Sequence, residues 1–448
     1  MMANSTTDGG RGIPARQLSL FDCVCLIVGI IVGAGIYRSS PMVAQAMGST
    51  LGTIAIWIVG GILAMAGALC YAELASSLPE EGGDYVYLSQ AFGRPIGFLF
   101  GWSQLAIVRP ADIAIMAFVF AEYAQAICPI APSSHVRDLG LRIYAVSAIL
   151  VLTAINILGV RQGKWTQNLL TVAKVLGLAA VVVIGLAASR SDIQAGPADP
   201  ARPAIPLALI FVLFTFGGWN EMAYVAAEVK DPDRNIVRAL VLGTVLVTGL
   251  YVLVNLAFLN SLGLSGLAGS NAVAVDTVGK VLPGIAAKAV AALICISALG
   301  AVNGLVFTGA RITYALGQGH RAFGLLGRWH QALGTPVVAL AVQGGISLAI
   351  AVAAGSFFRA ILYTAPVVWL FFLGTGLSLF VLRKRFPQRA RPYNVVAYPV
   401  TPLVFCLCCG FMLYNCILYA AANMPMALAV LGGVMVAGLV VYVVTERP

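Results

Sequence analysis

Charge is what this sequence has least of. Its 448 residues carry 27 Lys and Arg and 17 Asp and Glu, 10% in all, where a soluble domain carries about 25%. Histidine is as scarce. His135, His320 and His330 all fall in predicted loops, and no metal or cofactor is expected. Of nine cysteines only Cys128 lies near a predicted loop, which excludes a disulfide framework. There is no Gly-X-Y period, and the abundant Leu, Ile, Val and Phe exclude disorder. No nucleophile, base and orienting group combine in a predicted cavity, so no enzyme is expected.

What fills the space is apolar: 60% of the chain. After a polar segment at 1–17, apolar runs lie at about 18–37, 51–76, 95–127, 141–160, 166–188, 205–227, 237–262, 285–316, 334–354, 359–382, 398–421 and 426–445. Each can cross a bilayer core, which takes about 20 residues. The expectation is an all-α membrane protein of twelve transmembrane helices. The net charge of +10 follows topology rather than a nucleic-acid face. If the N-terminus is inside, seventeen Lys and Arg fall in inner segments and eight in outer ones, with Arg109 and Lys174 inside the membrane. That bias places both termini in the cytoplasm of a multi-pass inner-membrane protein.

Two of these helices are interrupted. Helix 1 reads Gly29-Ile30-Ile31-Val32-Gly33-Ala34-Gly35-Ile36-Tyr37, and helix 6 reads Phe214-Thr215-Phe216-Gly217-Gly218-Trp219-Asn220. They stand five helices apart, and an odd number of spans per repeat makes two repeats inverted. Matched, glycine-interrupted segments in two halves point to a transporter site. Unwound backbone at membrane depth survives only beside a polar cavity. The half-helix from Gly35 would turn its free N–H groups on a carboxylate. Carbonyls of Ile31, Val32, Phe214 and Thr215 would suit an ammonium. Together these fit a zwitterionic α-amino acid. The plainer alternative is that the glycines are helix-packing contacts.

The chain resembles the amino acid–polyamine–organocation superfamily, and within it the L-type amino acid transporters and their bacterial relatives. The resemblance runs from about Leu18 to Val444. It rests on Gly29 to Tyr37, Tyr71-Ala72-Glu73-Leu74 through Gly82-Gly83-Asp84-Tyr85, Phe214 to Asn220 with Glu228-Val229-Lys230-Asp231-Pro232, Val302-Asn303-Gly304 with Thr308, and Arg391-Pro392-Tyr393. It implies a LeuT-like fold with a 5+5 inverted repeat and broken helices 1 and 6. The repeats would be 18–188 and 205–382, with helices 11 and 12 at 398–445. It further implies that Gly33, Ala34, Gly35 and Ile36 hold the substrate carboxylate, that carbonyls near Ile31, Phe214 and Gly217 hold the amino group, and that Phe214 gates the pocket. Asn220 would link the broken helix 6 to its neighbours, and Trp369 would line the pocket.

Four residues need separate treatment. Lys174 lies nine residues past Trp165, about 13.5 Å deep at 1.5 Å per residue. A lysine there is costly and functional, unless it snorkels. The resemblance makes its ammonium a substitute for sodium, with helix 1 carbonyls and the Ser297 hydroxyl as partners. Asp112 departs from the small or hydroxyl residue of neutral-substrate relatives. It could select a cation or bind a proton, or simply pair with Arg109 at i and i+3. Glu221 is a second candidate for proton coupling, with a structural carboxylate as the alternative. Glu73 and Asp84 are expected in surface salt bridges, and Cys406, Cys408 and Cys409 on an outer helix.

The expected function is sodium-independent, secondary transport of small or neutral L-amino acids by alternating access, as exchange or proton symport. No heavy-chain subunit and no nucleic acid are expected as partners. The alternatives are a cationic amino acid or polyamine transporter using Asp112, and a non-transporting membrane amino acid sensor.

Overall fold

In the computed structural model, the residues described are 14–130, 134–188, 203–353 and 364–446. The polar segment up to residue 13, the first residues of the run at 359–382, and Arg11, Arg190, Arg202, Arg359 and Arg447 lie outside them, as does the His135 side chain. Among the described residues there is no strand, only three isolated bridges at Leu18–Val229, Glu81–Val225 and His330–Thr335.

The chain runs as α1 (Leu20–Ile31), α2 (Gly35–Met47), α3 (Thr50–Ser77), α4 (Asp84–Phe92), α5 (Arg94–Ile127), α6 (Ser134–Ile157), α7 (Val160–Ala187) and α8 (Ile205–Thr215). Two 3-10 turns follow, Trp219–Tyr224 and Ala226–Glu228. Then come α9 (Pro232–Gly269), α10 (Val273–Gly279), α11 (Ala286–Gly319), α12 (Val337–Val352), α13 (Ala365–Arg385), α14 (Val400–Asn423) and α15 (Pro425–Thr445).

Local chemistry sets several ends. Ser19 caps α1 in a reciprocal box: its hydroxyl accepts from the Asp22 N–H, and the Asp22 carboxylate accepts from the Ser19 N–H at 2.8 Å. Gly48 ends α2 in the left-handed region. Within α5, a π turn at Gln104–Val108 runs up to Arg109-Pro110. Pro110 has no N–H to donate, so the ladder must be reset there.

Every expected apolar run that is described falls on a helix, but their number as spans differs. Among the described residues, ten helices are long and apolar enough to cross a membrane, or up to eleven if the bent pair α1–α2, with 53° between its halves, is one span. The run at 334–354 forms α12, of 16 residues. At 1.5 Å per residue that is about 24 Å, short of a hydrocarbon core of about 30 Å.

The centre is α11. In its apolar stretch 83% of residues are buried, against 17% in α15, which places α15 at the rim. The most extensive pairings are α3 with α9 and α5 with α11. Each joins a span to the one five further along. The two breaks face one another, with Gly218 packed on Ile30.

Candidate functional site

Where α1 stops at Ile31, Val32, Gly33 and Ala34 lie between the helices, and Val32 leaves helical geometry with ψ 82°. Breaking a helix exposes carbonyls and N–H groups that must be satisfied. Here the exposed carbonyls are answered by a cation. Lys174, fully buried on α7, donates to the carbonyls of Gly29 (2.7 Å), Val32 (3.0 Å) and Ser297 (3.0 Å). An ammonium has three donors, so it is saturated. A methyl at Gly300 would stand 2.8 Å from Nζ, so that glycine makes the room. Ser297 enters through its backbone and not, as expected, through its hydroxyl. A carbonyl of α11 faces the ammonium because α11 is packed against the break.

A second group ties the two breaks together. The Tyr251 hydroxyl, on α9, lies 2.9 Å from the Ile31 carbonyl and 3.3 Å from that of Thr215. The Ile31 oxygen also takes the Gly33 N–H, so both its lone pairs are occupied. The Phe214 carbonyl accepts from Gly217. The Thr215 hydroxyl lies 2.7 Å from both the Ser39 hydroxyl and the Phe211 carbonyl, joining α8 to α2. On the donor side, the N–H groups of Ala34, Gly35 and Ile36 have no backbone acceptor, and no side chain caps α2. At Gly218 the backbone has φ +108°, and an added Cβ would meet Ile30 at 2.7 Å. Only glycine fits there.

Between the breaks, α3, α5, α11, α13 and α14 enclose a cavity of about 390 Å³. Of the residues singled out in the sequence, Asp112, Phe214, Gly217, Asn220, Glu221 and Trp369 line it. Ile31, Gly33, Ala34, Gly35, Ile36 and Thr215 do not; they form the seam beside it. Phe214 is half exposed and meets the Trp369 ring edge-on at 6.4 Å.

The cavity floor is polar. Arg109 Nη1 lies 2.8 and 2.9 Å from the two Glu221 oxygens, Nε donates to Gln104, and the guanidinium sits 5.0 Å from the Tyr224 ring centre. Thr308 donates to Glu221 at 2.6 Å. The Arg109–Asp112 pair is therefore not formed: the arginine takes a partner 112 positions away. Asp112 makes no side-chain hydrogen bond among the described residues. Asn220 donates to the Tyr224 hydroxyl, which donates to Asp84. Tyr71 and Thr375 also donate to Asp84. Asp84 is thus a buried knot of three hydroxyls and not a surface salt bridge, whereas Glu73 does pair with Arg383.

Sequence reasoning missed Gln104, Tyr224, Tyr251 and Cys408. The last lines the cavity, although its helix reads as an outer one. Nothing in an apolar helix marks which cysteine faces inward. Among the described residues no cluster could hold a metal, and all nine cysteines are free.

Fold and site define a multi-pass membrane protein that builds a small-molecule site on broken helices. The chain matches the amino acid permease family over residues 18–444 and belongs to that family. It is a membrane transporter of amino acids and not an enzyme. It is 30% identical to "Large neutral amino acids transporter small subunit 2" of Mus musculus over 98% of this chain and 83% of the relative. It is 32% identical to "b(0,+)-type amino acid transporter 1" of Oryctolagus cuniculus, over 85% and 78%. With "Asc-type amino acid transporter 1" of Mus musculus it shares 31%, over 87% and 75%.

Proposed function

We propose that this protein carries small or neutral L-amino acids without sodium, by alternating access, as an exchanger or proton symporter. The observation that carries this is the Lys174 ammonium, saturated by carbonyls of the first break and of α11. A tethered cation there makes a free one unnecessary. The open N–H groups of Ala34, Gly35 and Ile36 supply an anion hole for the substrate carboxylate. The amino group takes the remaining lone pairs of the Phe214, Thr215 and Gly217 carbonyls, and the side chain extends towards Trp369.

We read residues 18–188 and 205–382 as inverted repeats of a LeuT-like, twelve-helix fold, with helices 11 and 12 at 398–445. The pairing of α3 with α9 and of α5 with α11 supports this. Positive charge bias supports a cell membrane location with both termini cytoplasmic. The N-terminal face is zipped: Gln17 and Leu18 N–H groups donate to the Glu228 carbonyl, Lys230 N–H to that of Leu18, and Lys164 pairs with Asp22 at 3.0 Å. Phe214, Thr364 and Ala365 border the cavity instead. This fits a carrier open away from its N-terminal side. The mouse relative is named a small subunit. We read the present chain as working without a larger one.

The test is radiolabelled uptake into proteoliposomes of the purified chain alone. Alanine, leucine and arginine are compared with and without internal amino acid, sodium and a pH gradient. Uptake of alanine or leucine that ignores sodium is expected. A sodium requirement, or binding with no uptake, overturns the reading. The cationic reading keeps one observation in its favour, the unpartnered Asp112 on the cavity wall. If it holds, Asp112→Asn cuts arginine uptake tenfold or more (~1.4 kcal/mol) and spares leucine. If arginine is not carried by the parent protein, that reading falls.

A further inference from the structure

The mechanism above makes no use of Glu81, in the loop between α3 and α4. Its residue is only 7% exposed, and among the described residues neither carboxylate oxygen has a hydrogen-bond partner. Buried carboxylates are nearly always bonded or paired. The loop backbone pins it in place: Glu81 forms a bridge with Val225, and the Gly82 N–H donates to the Tyr224 carbonyl at 3.1 Å. Gly82 packs so closely on α11 that a Cβ would meet Ala315 at 2.4 Å.

Two charged groups face Glu81 from the elements packed on it, Glu228 from the second 3-10 turn and Arg311 from α11. Both are fully buried. Arg311 is committed elsewhere: Nε donates to Glu228 at 2.7 Å, Nη2 to the same carboxylate at 3.3 Å, and Nη1 to the Phe307 carbonyl at 2.8 Å. On its own loop the neighbouring charge is Glu80, which is exposed, and Asp84 is held by its three hydroxyls. Two buried carboxylates and one buried guanidinium leave one negative charge uncompensated, and a buried group in that position neutralises. Burial first, and the Glu228 carboxylate second, push the Glu81 carboxyl well above the usual carboxylate range.

We propose that Glu81 is a proton-binding site of the N-terminal gate: one proton from water on that side is bound as the α3–α4 loop closes on the 3-10 turn and α11, and is returned to that water when they part. The 3-10 turn that carries Glu228 is the same segment whose carbonyl takes the Gln17 and Leu18 N–H groups. Opening this face therefore parts the chain beside Glu81 and wets it. In the open state the carboxyl has the ordinary value of about 4.3; in the closed state it is higher. Acid then favours closure, and this advantage is lost as pH rises from the open-state value through the closed-state one. For a single proton the gate equilibrium changes by at most about tenfold per pH unit. The proposal rests on the alternating-access reading.

The test has two arms on the full-length protein. Infrared spectra in lipid nanodiscs at neutral pH are expected to show a protonated carboxylic acid C=O stretch that Glu81→Gln removes. In proteoliposomes with the same pH on both sides, leucine exchange in the parent protein is expected to vary with pH between about 5 and 8, and Glu81→Gln, which imitates the protonated form, to flatten that profile several-fold. An unchanged infrared band, or a variant with the parent's pH profile, overturns the proposal. Absence of any uptake by the parent protein fells the transport reading instead, and the infrared arm still decides Glu81.

Discussion

At the scale of residues, the depth of Lys174 was legible, and the resemblance supplied its helix 1 carbonyls and Ser297, though by the hydroxyl and not the carbonyl. Its depth follows from counting along one helix. That its partners are three carbonyls, one of them Ser297's, depends on how α7 and α11 meet the break, which no periodicity contains. The same holds for Arg109. The i, i+3 spacing offers Asp112, but an arginine goes where two oxygens and the Tyr224 ring converge, and Glu221 comes from beyond the second break, 112 positions on. Replacing Lys174 with methionine keeps the bulk and orphans the buried Gly29 and Val32 carbonyls at the break. At about 1–3 kcal/mol for a buried polar group left unsatisfied, exchange should fall at least tenfold at equal membrane expression. Parent-like uptake by Lys174→Met would remove the ammonium from the mechanism.

At the scale of elements, long apolar runs announced every described helix of membrane length, because apolar length is itself the membrane criterion, whereas the short α4 and α10 lie between the runs. The breaks were readable too, as glycine pairs in apolar context. What could not be read is how a break closes. Tyr251 sits in an apolar stretch of α9 with nothing to distinguish its hydroxyl, yet that hydroxyl spans from Ile31 to Thr215. It was overlooked for that reason, as was the 3-10 form of the chain after Gly218. Tyr251→Phe should leave the ring packing against Trp57 and Phe216 and remove the tie. Thermal unfolding should show a loss of about 1–3 kcal/mol, with a larger change in exchange rate than in substrate affinity. A variant indistinguishable from the parent in both would mean that the two breaks move independently.

At the scale of the whole molecule, the two faces are built differently. The N-terminal face is laced by main-chain bonds between residues 17–18 and 228–230 and by the Lys164–Asp22 pair, which Asn168 supports at 2.6 Å. Just behind the lacing lie Cys23 and Cys25, both buried. Weakening it with Asp22→Asn removes a capping box and an ion pair together. Maleimide labelling followed by peptide mass spectrometry should then find Cys23 and Cys25 modified several-fold faster, while the exposed Cys128 reacts as before. Equal rates in parent and variant would show that the pair contributes nothing to closure. Which face is laced was beyond the sequence, since the same residues must serve both the shut and the open arrangement.

The ammonium at the first break has one more consequence, and it concerns work rather than structure. An ion borrowed from solution arrives and departs with its cargo, and the difference in its concentration across the bilayer can drive the cargo uphill. Lys174 is bonded to its own chain and never leaves. It ties the seam in this structure, yet it has no concentration on either side and no gradient to run down. A carrier built this way obtains no force from the group that organises its site. Its direction of flow is decided by whatever amino acids lie on the two sides, and by any proton that travels or waits with them.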